Sequence, residues 1–218
     1  MHNKKNEFFA EIIESSLTSF TARSWQWDSF PSLGSLIYTA QGDRIVYGLV
    51  HSIKTGSFDE SRTPFAYKKT EAELKKELPH IFELLKTDFQ ALILGYKEAE
   101  TINYVCTPEP PKIHSFIANT SAQMSIEFLQ STHYLYLIFS MQKELFNIDE
   151  LLLSFVYYQQ KNNVFDANHI NSFIDTFCLL SGNDYKRLKV FLHRLQALMP
   201  QQISTTKATA SALTTLAN

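Results

Sequence analysis

The chain has 218 residues, 20 basic and 22 acidic side chains and a formal net charge of −2. Its 44% apolar and 13% aromatic content can fill a core, which excludes wholesale disorder. The near-zero charge supplies no global field toward nucleic acid or anionic lipid. Two cysteines, Cys106 and Cys178, make neither a disulfide framework nor a metal spacing, so a reduced, cytoplasmic setting is expected. The opening MHNKKNEFF is too polar for a signal peptide. The apolar runs Leu135–Phe139 and Leu151–Phe155 fall far short of a membrane span, so no membrane insertion is expected.

Period-two patterning begins at about Glu11. Within residues 18–27, Phe20, Ala22, Ser24 and Gln26 point one way, and Arg23, Trp25 and Trp27 the other. Of the two tryptophans, one is expected in the core and one at the surface. Residues 34–40 read as a short strand, turned by Gln41-Gly42-Asp43, where glycine adopts a positive φ without steric cost. Residues 44–55 give the clearest strand, and Gly48 inside it marks a bulge or tight bend. Residues 88–97 and 102–106 read as later strands. Several short strands of this kind suggest a small closed barrel. Residues 56–69 interrupt the pattern as a loop. Residues 70–86 follow as a helical insertion, with Thr70 and Glu73 at capping-box spacing and Pro79 dividing the segment.

The character changes at Pro108, Pro110 and Pro111, after which Gly182 is the only glycine. About four helices are expected: residues 121–141, 149–160 capped by Asn147, a helix capped by Asp166 and ending at Gly182, and 184–198 begun by Asn183 and stopped by Pro200. In the last, Tyr185, Leu188, Phe191, Leu192, Leu195 and Leu198 form an apolar stripe. The fold class expected is α+β: a barrel over 10–107 with its insertion at about 70–86, a helical domain over 112–200 and a flexible tail over 201–218.

The segments Glu14–Arg23, Phe30–Ile37, Val46–Ile53 and Ala91–Tyr96 carry a strand, a glycine turn, a Tyr-Gly-x-Val strand and a hydrophobic-Gly strand. In this order they resemble the HerA–ATP synthase barrel, or HAS barrel, over roughly half the chain. The barrel with helical tail also resembles small stand-alone HAS-barrel proteins. The large relatives follow their barrel with a P-loop ATPase domain, but no G-x-x-x-x-G-K-[ST] occurs here, so ATP hydrolysis does not carry over. What the resemblance implies is subunit association and docking of partner proteins.

No catalytic constellation stands out. The seven histidines show neither H-x-x-x-H nor H-E-x-x-H spacing, and neither a G-x-S-x-G elbow nor a dinucleotide fingerprint is present. No enzyme activity, cofactor or metal is therefore expected. His51 reads as a hydrogen-bonded barrel residue, the cysteines as packing residues, and the pairs Asp149/Glu150 and Glu71/Glu73 as first-turn acids. Two surfaces are candidates for contact. Phe58, Arg62, Phe65 and Tyr67 combine aromatics with arginine, the composition of a protein-binding hot spot, and serve equally to tuck the insertion onto the barrel. Lys186, Arg187, Lys189 and Arg194 cluster off the apolar stripe, as a nucleic-acid or acidic-partner contact or as a solvated face. The leading expectation is a non-enzymatic interaction module with a protein partner or self-association. The alternative is an RNA- or DNA-associated factor using the basic last helix.

Overall fold

The computed structural model describes residues 8–59, 61, 63–182 and 184–199. Among the described residues the first part of the chain holds seven strands: β1 (Phe8–Ser15), β2 (Ser19–Ser24), β3 (Leu36–Gln41), β4 (Arg44–Ser57), β5 (Leu85–Glu98), β6 (Thr101–Asn103) and β7 (Phe116–Asn119). All pairings are antiparallel, in the order β2-β1-β7-β3-β4-β5, and β5 returns to β2. Six strands thus close a barrel, and β6 hangs on the far end of β5. Closure pairs both long edges of the sheet and removes the template for edge-to-edge association along most of their length.

The interior follows the side-chain alternation. In β2, Phe20, Ala22 and Ser24 face inward and are buried, as the sequence implies. Phe20 and Ala22 join Ala10, Ile12, Ile37, Val46, Val50, Phe89, Ala91, Ile93 and Ile117 in one core. Gly48 does sit at a register shift, between Tyr47 and Gly48 against β5. A Cβ there would lie 3.0 Å from the Phe20 ring, so glycine makes room for that ring in the interior. Gly42 turns the β3–β4 hairpin at φ +61°.

The strands depart from the sequence pattern at three places. β1 starts at Phe8 rather than near Glu11, because Phe8 pairs with Ala118. β7 was not expected: its four residues lie beyond the prolines, yet they bridge β1 and β3 and complete the barrel. The third is at the tryptophans. β2 ends at Ser24, and neither Trp25 nor Trp27 is in the core; Trp25 is half exposed and Trp27 partly buried against Phe82.

The insertion behaves as its residues dictate. Thr70 and Glu73 form a reciprocal capping box on α1 (Glu71–Glu77), and Pro79 starts a separate 3-10 helix over Pro79–Leu84. A first compact unit runs through Ser121 and a second begins at Ala122.

The second unit holds α2 (Ala122–Leu129), α3 (Tyr134–Ser140), α4 (Ile148–Lys161), α5 (Ala167–Leu180) and α6 (Tyr185–Leu198). The single helix expected over 121–141 is two, broken at residues 130–133, where Ser131 Oγ accepts a hydrogen bond from His133 N–H. Asn147 and Asp166 cap α4 and α5, and Gly182 adopts φ +63° after α5. Asp184 caps α6; Asn183, Pro200 and the tail 201–218 lie outside the described residues. The α6 stripe is narrower than expected: Leu188, Phe191 and Leu195 are buried, while Tyr185 and Leu198 are exposed. Aromatic rings pack in this core, the closest pair being Phe177 and Phe191 with centroids 4.0 Å apart.

Candidate functional site

After Arg23 pairs with Asp88, β2 ends and the chain peels away from β5, while β4 and β5 run on together to Ser57 and Leu85. This paired arm carries the candidate site. The Arg23 guanidinium grips Asp88 through two hydrogen bonds of 2.7 and 2.9 Å, and Lys86 Nζ stands 3.8 Å from the same carboxylate. The Phe58 ring lies within 4.8 Å of the Arg23 guanidinium and 5.9 Å of Lys86 Nζ. These are cation–π distances, and Phe58 remains half exposed. Below it Thr87 Oγ1 donates to the Trp27 carbonyl at 2.5 Å, and the Trp27 ring stacks on Phe82 at 5.7 Å.

Two depressions share Lys86. One, of about 460 Å³, is lined by Arg23, Trp25, Trp27, Phe58 and Phe82 among others. The other, of about 370 Å³, is lined by Lys54, Gly56, Ser57, Asp59, Thr63 and Pro64 beside Lys86 and Asp88. The surface combines aromatic faces with guanidinium, ammonium and carboxylate groups, a composition that suits binding.

Of the four aromatic-loop candidates, the structure brings Phe58 into this site. Phe65 and Tyr67 form an edge-to-face pair of their own at 5.2 Å, exposed and outside both linings, and Arg62 lies outside the described residues. Arg23, Lys86 and Asp88, which no sequence motif marks, complete the site. The signal for Arg23 was present, since β2 alternation puts it on the face opposite Phe20. The sequence pattern places Lys86 in the insertion helix, because the start of β5 at Leu85 does not show locally.

The basic helix is altered by its neighbours. Arg187 is half-buried, its guanidinium bonded to both oxygens of Asp149 at 2.6–3.0 Å and set over the Phe139 and Phe177 rings. Arg194 bonds both oxygens of Glu150 at 2.6 and 2.9 Å. The first-turn acids of α4 thus engage both arginines. Lys186 and Lys189 are exposed.

Burial pushes His51 below its usual value, and its ring finds no hydrogen-bond partner among the described residues, contrary to the expectation. Burial also raises the Cys178 thiol, while Cys106 is exposed rather than packed. Among the described residues, no three His, Cys, Asp or Glu side chains gather to hold a metal, and no helix is long and apolar enough to cross a membrane. No protein-family model matches the chain, and no curated protein is significantly similar to it.

Proposed function

We propose that the chain is a non-enzymatic protein-interaction and assembly module that docks on a larger complex through its HAS-like barrel, its second unit being a helical bundle. The observation that carries this reading is the gathering of Trp25, Trp27, Phe58 and Phe82 with Arg23 and Lys86 on one outer face of a closed barrel. Aromatic and arginine side chains dominate binding hot spots because they bury large areas at low entropic cost. The HAS resemblance supports the same reading.

The test is native co-purification of the tagged full chain, followed by light scattering on the eluted complex. The expected result is a stoichiometric partner whose recovery falls at least fivefold with Phe58→Ala. A chain that stays monomeric and recovers no stoichiometric partner overturns the reading.

The nucleic-acid alternative rests on the exposed Lys186 and Lys189. With Arg187 and Arg194 bonded to Asp149 and Glu150, few phosphate contacts remain for α6 to offer, and a shallow salt dependence follows. Replacing both lysines by glutamate and measuring RNA and DNA binding against salt decides this second reading.

A further inference from the structure

β4 outlasts its partner β3. Their ladder ends at Leu36 opposite Leu49, and backbone hydrogen bonds from Gly34 N–H to the Val50 carbonyl and from Val50 N–H to the Ser35 carbonyl extend it by one residue. From Ser52 to Ser57, β4 is paired on its β5 side, and among the described residues no backbone hydrogen bond reaches its other side. Backbone donors and acceptors along such an edge are a template for another strand.

The side chains on this arm specify which strand. Arg23 lies directly opposite Asp88, and Asp88 lies directly opposite Lys54. Directly opposed residues share a face, so one row crosses β2, β5 and β4 as cation, anion, cation. Arg23 and Asp88 are bonded within the row; Lys54 stands exposed at its open end. Two residues along, on the same face, Gly56 adds no side chain, and a Cβ there would meet nothing within 4 Å. The depression of about 370 Å³ opens beside it.

We propose that the Ser52–Ser57 edge of β4 accepts an extended acidic segment of a partner protein as an added strand, with a carboxylate beside Lys54. This continues the alternation of the row by one strand. It rests on the interaction-module reading and names the chemistry of the partner. A second copy fits poorly, because Lys54 is the one charged residue in Ser52–Ser57 and self-pairing would bring two lysines together with no acid between them. Nucleic acid offers phosphates but no ladder of amides.

The test uses the full chain and a fluorescein-labelled nine-residue peptide of alternating threonine and valine with a central glutamate, beside versions with central glutamine or lysine. Anisotropy is expected to rank glutamate above glutamine above lysine, each step about two- to fivefold, the size of one cross-strand charge pair. Lys54→Glu is expected to reverse the glutamate and lysine ranks, a result that misfolding cannot imitate. Hydrogen exchange is expected to slow at Ser52–Ser57 in the complex. Equal binding of the three peptides, absence of binding, or protection confined to other residues overturns the proposal. So does a concentration-dependent dimer that protects the same amides, which assigns the edge to self-pairing. If co-purification yields a stoichiometric partner that leaves Ser52–Ser57 exchanging freely, the interaction module stands and this inference alone falls.

Discussion

Arg187 on α6 holds Asp149 in the first turn of α4 by hydrogen bonds from both Nε and Nη2, at 2.6–3.0 Å, with less than a third of either side chain exposed. The same guanidinium lies 5.8 Å from the centroid of Phe177 and 5.9 Å from that of Phe139. One side chain therefore ties α6 to α4 and covers aromatic rings contributed by α3 and α5. A residue that reads in sequence as part of a basic contact surface is a structural clasp.

Arg187→Ala should cost about 1.5–3 kcal/mol, the range for hydrogen bonds to a charged partner, because it leaves a half-buried carboxylate behind. Arg187→Lys keeps the charge but loses the two-pronged geometry and should recover only part of that stability. Urea unfolding followed by far-UV circular dichroism measures both. A loss of less than about 0.5 kcal/mol in the alanine variant would show that the clasp is energetically idle.

Glycine substitutions should rank by local geometry. Gly95 has φ +139°, and a Cβ there would stand 2.3 Å from the Asn103 carbonyl oxygen, so Gly95→Ala must shift backbone where β6 pairs with β5. A loss of about 2 kcal/mol or more is expected. Gly42 has φ +61° with open space, and its alanine variant should lose about 1 kcal/mol. Gly56→Ala meets nothing and should be neutral or slightly stabilising. Thermal denaturation of the three variants checks the order. A Gly95→Ala protein as stable as Gly56→Ala would contradict the close approach.

Much of this fold was written locally. Thr70 with Glu73, Pro79, Asn147, Asp166 and Gly42 act through their own backbone neighbours, so each of these caps, breaks and turns could be read from a few adjacent residues. β7 could not. Its four residues carry no period of their own, and they become a strand only because β1 and β3 each present an edge on either side. The candidate site divides in the same way. Phe58 was legible as an aromatic in a polar loop, whereas its joining Arg23 and Lys86 depends on the register of β5 against β2 and β4, which is a long-range fact. The split role of the α6 cations also lay beyond local reading, because it depends on carboxylates 38 and 44 residues away.

Asn147 accepts hydrogen bonds from Asp149 N–H and Glu150 N–H at 3.0 and 3.2 Å. It thereby caps α4 and fixes the turn that presents both acids to the arginines of α6. Asn147→Ala should cost about 1 kcal/mol from the cap alone. Because the turn also orients Asp149, its effect should not add to that of Arg187→Ala. A double mutant whose loss equals the sum of the two single losses would refute the coupling.

Acid should begin to weaken the barrel at a higher pH than the helical unit. In the barrel, burial holds His51 below its ordinary value, so the folded state binds fewer protons there than the unfolded chain. The associated stability is present above about pH 6.5 and is lost as pH falls through the depressed value. In the helical unit, hydrogen bonds from Arg194 hold Glu150 low, and bonds from the His169 backbone and ring hold Asp166 low. Their stabilisation is intact above the ordinary carboxylate range and disappears as pH falls through the lowered values, a more acidic window than that of His51. The two tryptophans of the chain, Trp25 and Trp27, both belong to the first unit, so their fluorescence reports the barrel while circular dichroism at 222 nm follows the helices. Melting temperatures measured from pH 8 to pH 3 should therefore fall first by fluorescence and later by circular dichroism. His51→Gln should remove the earlier decline and leave the later one in place. A fluorescence decline that is unchanged in His51→Gln would show that another group governs the acid response of the barrel.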